Sequence, residues 1–275
     1  MGSGTEGIDD AKFVGAIPDI YERLLVPMIF RAPAVGLARL VGARAPADVL
    51  ETAAGTGALT RELLRECPGA QITATDLNPP MLSAGAARTD PAAVTWQQAD
   101  ALDLGFADAS FDIVACQFGV MFFPDRVAGY AEALRVLRPG GVFAFNTWDR
   151  IENNVVTHVI EEALAAAVPD SPIRFMSRTP HGYFSPDQVV ADLHAAGFDE
   201  PQISAVDGIG RTTASEAAVA FCQGTPLRVA IEAHPTLTVP AATQIAEAAL
   251  REHFGDGPID GSIRWFEVIA ESGSD

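Results

Sequence analysis

The chain has 275 residues, of which 48% are hydrophobic and 20% charged, a composition typical of a globular protein that buries a substantial core. Its 36 acidic residues outnumber 18 basic ones, so the formal net charge is −18, and Lys12 is the only lysine. Binding to a nucleic-acid backbone or to an anionic membrane depends on clustered lysine and arginine, and the sequence has no such cluster. Nucleic acids and membranes are therefore not expected as partners.

Cysteine usage and the N-terminal residues favour a cytoplasmic protein. Cys67, Cys116 and Cys222 are odd in number and far apart, and they have no metal-ligand spacing, so we expect reduced thiols and no metal site. Residues 1–10 lack the basic region and the apolar run of a signal peptide. The apolar stretch at 24–30 is too short to span a bilayer.

Taken in chain order, the sequence begins with a helical region and continues as alternating strands and helices. Residues 11–41 predict two helices separated by Pro27 and Pro33. Short β-rich runs then alternate with helical patterns, which is typical of a parallel sheet. The predicted strands are 48–52, 71–76, 94–100, 111–118 and 142–148, and the predicted helices are 58–66, 80–87 and 125–137. The Arg-Pro-Gly-Gly run at 138–141 is expected to stop the last of these helices.

The periodicity changes after residue 148. An apolar stripe predicts a helix over 155–167, and Ser185 with Gln188 forms a capping-box pattern for a second helix that ends at Gly197. The remaining predicted elements are a strand at 202–206, helices at 214–222 and 241–253, and a last strand at 263–270.

A loop of small residues at 49–60 joins a buried strand directly to a helix. Gly55 and Gly57 have no Cβ, so a ligand can lie against the backbone where the helix N-terminus offers free N–H groups. Glu51 ends the strand, at the edge where doubly wound sheets open their ligand crevice. A glycine turn of this kind can also serve only as a tight strand–helix junction.

The next three predicted strands also end in groups suited to a ligand. Asp76 follows Gly55 by 21 positions and can accept hydrogen bonds from both ribose hydroxyls of an adenosine, although it can also cap the following helix. Asp100 ends the third strand with a carboxylate suited to an adenine amino group, and Gln117 and Phe118 end the fourth. Four successive strand ends that each carry a ligand group favour one shared site.

These motifs together resemble class I S-adenosylmethionine-dependent methyltransferases, and most closely their small-molecule "type 11" branch. The resemblance rests on Glu-Thr-Ala-Ala-Gly-Thr-Gly at 51–57, on the acids that end strands 2 and 3, and on Leu-Arg-Pro-Gly-Gly-Val-Phe at 137–143. It covers residues 46–148 and extends more weakly to 13–21 and 195–198. It implies a Rossmann-like α/β fold with a seven-stranded, mostly parallel sheet. The last strand would be antiparallel and inserted beside strand 5, with an N-terminal helical cap and inserted helices around the sheet.

The resemblance also implies S-adenosyl-L-methionine as the cofactor and S-adenosyl-L-homocysteine as the product. Glu51 would lie near the methionine amino group, Gly55 and Gly57 would let the cofactor approach the backbone, and Asp76 would hold the ribose. Ala53 stands where the family usually has glycine, and a positive φ there would cost about 1 kcal/mol. The other implied cofactor contacts are Tyr21 from the cap, Leu77 and Met81 on the adenosine, Asp100 and Ala101 at the adenine, and Gln117 and Phe118 on the methionine side.

The acceptor is implied to be a small organic molecule that is methylated at O, N or C. His181 lies in the loop 179–184, where the family builds its acceptor pocket, and is the candidate base; a turn histidine without chemistry is the alternative. His158 is expected on the solvated face of its helix. The apolar residues that either line the acceptor pocket or pack in the core are Trp148, Phe175, Met176, Tyr183 and Phe184.

The domain expectation is one methyltransferase domain over 1–275, with a helical cap at 11–45, a cofactor-binding core at 46–149 and an acceptor-side region at 150–275. Two other functions stay open. A non-catalytic S-adenosylmethionine-binding regulatory protein would fit Ala53 and the lack of an obvious base. An NAD-dependent oxidoreductase is less favoured because Thr60 occupies the third glycine position of Gly-x-Gly-x-x-Gly.

Overall fold

The computed structural model describes residues 17–273, and seven strands form one sheet in the order β3-β2-β1-β4-β5-β7-β6. Strands β1 to β5 run parallel to one another, and β7 is antiparallel to both β5 and β6. The predicted fold class, including the antiparallel last strand beside strand 5, is confirmed. The strands are β1 Asp48–Glu51, β2 Gln71–Asp76, β3 Val94–Gln98, β4 Phe111–Gln117, β5 Leu137–Trp148, β6 Asp199–Thr212 and β7 Ile259–Glu271.

Helices cover both faces of this sheet. Because the central strands are buried on both sides, they consist of nearly continuous apolar runs. The helices are α1 Ile17–Ile20, α2 Arg31–Gly42, α3 Ala58–Glu66, α4 Pro79–Ala86, α5 Arg126–Val136, α6 Val155–Ala167, α7 Phe175–Arg178, α8 Pro186–Ala195, α9 Ala214–Gly224, α10 Leu227–Glu232 and α11 Val239–Phe254. Sequence reasoning missed the short helices α7 and α10, and it placed the start of β5 five residues too late.

The Arg-Pro-Gly-Gly run does follow the end of α5, as predicted, but it forms the first part of β5. The exposed end of the strand tolerates Pro139, which has no N–H to donate. Gly140 has φ +75°, and a Cβ at Gly141 would lie 2.8 Å from the carbonyl oxygen of Arg138. Arg138 also pairs with Asp48 and Asp112, which ties β5 to the amino ends of β1 and β4.

The prediction of two N-terminal helices separated by Pro27 and Pro33 is wrong for the residues that the structure describes. Helix α1 continues through a π-helical segment, Tyr21–Phe30, directly into α2. In the π register a backbone N–H bonds to the carbonyl five residues earlier, as that of Arg31 does to Val26. Pro27 therefore omits one bond without ending the helix, and the buried side chains around it keep the segment packed. The predicted part at 11–16 lies outside the described residues.

The continuous helix Ile17–Gly42 is 26 residues long, and by length and composition alone it could cross a membrane. Half of its most apolar window is buried inside the protein. Leu25 and Met28 belong to the same core cluster as Phe118 and Trp148, and Leu37 packs in the cluster on the opposite face of the sheet. The packing is that of a core helix.

Candidate functional site

The carboxyl ends of β1 to β4 open into a cavity of about 630 Å³. Its volume lies within the range of roughly 300–1,000 Å³ that is usual for small-molecule sites. The N-terminal helix covers one side, and the segment around α7 covers another. The residues predicted from sequence that line it are Tyr21, Ala53, Gly55, Asp76, Leu77, Met81, Asp100, Ala101, Gln117, Phe118 and His181.

The loop after β1 is bonded to both neighbouring strands. The N–H of Thr52 donates to Ala115 in β4, and that of Ala54 donates to Thr75 in β2. Gly55 has φ +57° and Ala53 has φ +51°, so the methyl group of Ala53 is held in the left-handed region that favours glycine. The backbone strain expected for a positive φ at Ala53 is therefore present in the structure.

Asp76 ends β2 at the cavity wall and is buried. Its Oδ2 accepts the N–H of Gly55 at 2.8 Å, and its Oδ1 accepts the N–H of Asn78 at 2.8 Å. Burial raises the pKa of Asp76, and these backbone hydrogen bonds partly offset that rise. The Oδ1 atom also accepts the side-chain amide of Asn78 at 3.3 Å, whereas Oδ2 retains a lone pair with which it can accept a hydrogen bond from a ligand.

Two predicted cofactor residues, Glu51 and Gly57, do not line the cavity. The side chain of Glu51 is buried beneath the loop, where its Oε2 accepts the hydroxyl of Thr60 at 2.6 Å. Burial raises the pKa of Glu51 to about 8, so its carboxyl group is mostly protonated at neutral pH. Gly57 has φ +80°, and a Cβ there would lie 3.0 Å from the ring of Trp96. Its lack of a side chain therefore serves helix packing.

Aromatic rings surround the middle of the cavity. The rings of Phe118 and Trp148 stack with centroids 3.9 Å apart and an interplanar angle of 6°, and those of Tyr21 and Phe30 stack at 4.8 Å. Phe118 has φ +52°, an unusual value for a bulky residue and one often found at functional sites. The amide of Gln117 donates to the carbonyl of Phe30 at 2.7 Å, which fastens the N-terminal helix to the end of β4.

His181 is buried at the cavity wall, and its Nδ1 lies 2.8 Å from the carbonyl oxygen of Asp149. A carbonyl oxygen only accepts, so Nδ1 carries the hydrogen and Nε2 of the neutral ring is an acceptor. Burial lowers the pKa of His181 to about 4, which keeps the ring neutral at pH 7. His158 does not line the cavity; it is half-buried in α6, and its Nδ1 is buried without a partner.

The acceptor-side segment is fixed by a buried carboxylate that sequence reasoning missed. Glu161 in α6 accepts the backbone N–H of Met176 at 2.7 Å and that of Ser177 at 3.1 Å, which orients α7. The apolar candidates divide into two groups. Trp148, Phe175 and Met176 line the cavity, whereas Tyr183 and Phe184 do not. Further lining residues that sequence reasoning missed include Phe30, Phe122, Arg126, Asn154, Thr157 and Thr225.

Comparison with known proteins identifies the family of this chain. Residues 50–145 match the family model described as "Methyltransferase domain". Demethylmenaquinone methyltransferase of Deinococcus radiodurans is 41% identical over 104 residues, which are 36% of this chain and 42% of that protein. The enzyme of the same name from Mycolicibacterium vanbaalenii is 36% identical over 165 residues, which are 56% of this chain and 70% of that protein.

Among solved structures, a putative methyltransferase from Bacillus halodurans has a TM-score of 0.57 at 16% identity, covering 87% of this chain and 98% of its own. That likeness shows the fold. This chain spans less than half of the length of the Deinococcus protein. The match therefore does not assign that protein's substrate to this chain. The matched model, the strand-end motif and the coverage of the Mycolicibacterium protein place the chain in the class I S-adenosylmethionine-dependent methyltransferase family, in its type 11 branch.

Proposed function

We propose that this protein transfers the methyl group of S-adenosylmethionine to a small organic acceptor at O, N or C. The observation that carries the proposal is the lining of the cavity at the ends of β1 to β4. It joins the carboxylates at the ends of β2 and β3 to an aromatic pocket that holds a neutral histidine, His181.

The residues at the cofactor end fit an adenosine and a sulfonium. Oδ2 of the buried Asp76 can accept a hydrogen bond from a ribose hydroxyl, and such a bond favours the ionised form of a carboxylate whose pKa burial has raised. Leu77 and Met81 provide an apolar surface for the adenine, with Asp100 and Ala101 beside it. The aromatic face of Phe118 suits a cationic sulfur, since cations are attracted to ring faces.

The proposed reaction needs alignment more than acid–base chemistry. S-adenosylmethionine would supply, when bound, a methyl group activated by its cationic sulfur, which the acceptor attacks in line while the sulfur leaves in S-adenosylhomocysteine. The stacked rings of Phe118 and Trp148 exclude water and hold an apolar acceptor next to the methyl group. His181 accepts a hydrogen bond from the acceptor and so orients its lone pair. With a pKa of about 4 the ring holds a proton only weakly, and the released proton passes to solvent.

The proposal extends to the whole described chain as one methyltransferase domain in the cytoplasm. The small cavity and the net charge of −18 favour a small acceptor over a nucleic acid. Cys67, Cys116 and Cys222 are free thiols in the structure, which fits a reducing compartment.

The test uses methyl-tritiated S-adenosylmethionine with a panel of phenols, amines, carboxylic acids and activated carbon acids. We expect tritium in at least one acceptor, with an equal amount of S-adenosylhomocysteine formed, and much less of both with Asp76→Ala. Tight binding of S-adenosylhomocysteine without transfer to any acceptor would favour the non-catalytic alternative. Binding of NAD without binding of S-adenosylhomocysteine would favour the oxidoreductase.

A further inference from the structure

The charged residues that line the cavity are segregated along it. Asp76 and Asp100 lie at the ends of β2 and β3, whereas Arg126 and Arg178 lie beyond β4, at the start of α5 and the end of α7. The sheet order places β1 between these two groups. One end of the cavity therefore carries carboxylates, and the other carries guanidinium groups.

Arg126 has no carboxylate partner among the described residues, although the chain has twice as many acidic as basic residues. Its Nη2 makes one long contact, 3.5 Å, to the carbonyl of Met121, and its Nε is buried without a hydrogen-bond partner. Arg135 in the same helix is the contrast, since it pairs with Glu132 at 2.8 Å and with Asp108 at 2.7 Å. Because that Nε is inaccessible, the donors left for a ligand are those of Nη1, for which the described residues supply no acceptor, and of the weakly bonded Nη2.

The position of the guanidinium is set by a stacked ring. Its Cζ lies 4.2 Å from the ring centroid of Tyr183. Tyr183 is itself held at both ends, because its hydroxyl donates to Asp192 at 2.7 Å and its carbonyl accepts the hydroxyl of Thr147 at 2.9 Å. A guanidinium stacked on a fixed ring keeps its N–H donors in one plane, in the geometry that binds a carboxylate with two hydrogen bonds.

Arg126 lies on the acceptor side of the cavity. The segment after β4 contacts the glycine loop, which follows β1 and contains Ala53 and Gly55, at Gly119. A Cβ at Gly119 would lie 2.5 Å from the Cβ of Ala53. Arg126 comes seven residues later, after the 3-10 turn Val120–Phe122, and it stacks on a residue of the segment that follows His181. The carboxylate of an amino-acid cofactor at the glycine loop is therefore not its expected partner.

We propose that Arg126 binds a carboxylate of the methyl acceptor, so that the substrate class is small aromatic or apolar organic acids. This inference rests on the proposed function. The apolar body of the acid would lie against Phe118, Trp148 and Met121, with its nucleophilic atom towards the cofactor and its carboxylate on Arg126.

Calorimetry on the protein saturated with S-adenosylhomocysteine tests the proposal. The probes are benzoate, phenylacetate, 3-phenylpropionate, cinnamate and their hydroxylated forms, each paired with its primary amide, which has nearly the same shape without the charge. We expect at least one acid to bind about ten- to a hundredfold more tightly than its amide. The preference should disappear in Arg126→Gln and be partly restored in Arg126→Lys.

The matched control is Arg150→Gln. Arg150 also stacks on an aromatic ring, that of Phe184 at 5.1 Å, but it does not line the cavity. This variant makes the same change in net charge and should keep the preference for acids. The proposal is overturned if no acid binds more tightly than its amide, or if the preference survives in Arg126→Gln.

Affinity for S-adenosylhomocysteine separates this proposal from the proposed function. It should be the same in the wild type, Arg126→Gln and Arg150→Gln, and a loss confined to Arg126→Gln would assign Arg126 to the cofactor and overturn the proposal. If the wild type does not bind S-adenosylhomocysteine, the proposed function fails, and the comparison of acids with amides can still be made on the unloaded protein.

Discussion

The end of the cavity that we propose for the cofactor (the cofactor end) and the end that we propose for the acceptor (the acceptor end) are built in different ways. At the cofactor end, Asp76 is held by backbone N–H groups of Gly55 and Asn78, and the lining groups come from successive strand ends between residues 53 and 118. At the acceptor end, Arg126, Trp148 and His181 come from separate segments of the chain. They are positioned by tertiary contacts such as the ring stack of Trp148 and the bond of His181 to the carbonyl of Asp149.

We expect this difference between a site that binds one fixed cofactor and a site that is shaped for an acceptor. A cofactor of fixed shape can be held by backbone groups and a few carboxylates whose places follow from the sheet. An acceptor must be matched by side chains on helices and loops, which can change without disturbing the sheet. Each end also buries a titratable group whose pKa is strongly shifted, Glu51 or His181, and the two have opposite effects on stability as the pH changes.

The largest expected effect is that of Glu51→Gln on stability. Below pH 4.5 the Glu51 carboxyl is protonated in both the folded and the unfolded chain. Between pH 4.5 and about 8 only the unfolded chain loses the proton, so the wild type loses stability as the pH rises. The variant lacks this loss, and urea unfolding should show its stability relative to the wild type rising by roughly 3–5 kcal/mol from pH 4.5 to pH 8.5.

Glu66→Gln, at the exposed C-terminal end of α3, is the control and should show no such trend. A pH-independent difference between Glu51→Gln and the wild type would contradict the buried, protonated state of Glu51. A loss of S-adenosylhomocysteine affinity as large as that of Asp76→Ala would show that Glu51 turns to the cavity when the cofactor binds.

His181→Gln should show the opposite pH dependence. Burial lowers the pKa of His181 to about 4, so between pH 6.5 and pH 4 the unfolded chain binds a proton that the folded chain does not. The wild type therefore loses about 3 kcal/mol of stability as the pH falls through that window. The variant should gain by this amount relative to the wild type between pH 7 and pH 4.

Urea unfolding measures this trend as well, and His194→Gln is the matched control because His194 is exposed in α8. If the two variants behave alike, His181 is not a buried neutral ring. Because Glu51 and His181 act in opposite directions, comparing each variant with the wild type separates their contributions.

Asp76→Ala should weaken binding of S-adenosylhomocysteine by about 1.5–3 kcal/mol, or about ten- to a hundredfold, because it removes a charged acceptor at the ribose position. Calorimetry measures the change. Asp76→Asn, which keeps the size of the side chain, separates the lost charge from the lost contacts with Gly55 and Asn78. Asp103→Ala removes an exposed acid outside the cavity and should bind normally. Unchanged affinity in Asp76→Ala would remove Asp76 from the cofactor site.

Ala53→Gly has the smallest expected effect. Glycine relieves the cost of φ +51° but gives the unfolded chain more freedom, so we expect a net gain in stability of up to about 1 kcal/mol. Ala45 has φ +49° and lies outside the cavity, which makes Ala45→Gly the control. Both variants should gain stability, and only Ala53→Gly should bind S-adenosylhomocysteine more tightly. Equal affinities in the two variants would show that the strain at Ala53 does not reach the site.

The cofactor end could be predicted because its signals are local. The alternation of strand and helix places β2 and α3 at their observed bounds, and the strand-end residues follow from that register. The sequence predicts Glu51 and Gly57 as cofactor contacts because a position at a strand end or in a glycine-containing loop does not reveal which way a residue faces. The bond of Glu51 to Thr60 and the packing of Gly57 on Trp96 depend on three-dimensional contacts.

The acceptor end could be predicted only in part, because its residues meet through long-range packing. His181 and Trp148 were identified from their position in the chain, but Arg126 looks like any first residue of a surface helix. Its unpaired Nε and its stack on Tyr183 become visible only in the folded chain. Pro27 misled the helix prediction because a π register leaves no clear trace in the sequence pattern.

The most direct test of the central claim is calorimetric titration of the wild-type protein with S-adenosylhomocysteine and, separately, with NAD. The cavity described here predicts one S-adenosylhomocysteine site per chain, weakened about ten- to a hundredfold in Asp76→Ala, and no binding of NAD at that site. Binding of NAD with no binding of S-adenosylhomocysteine would contradict it.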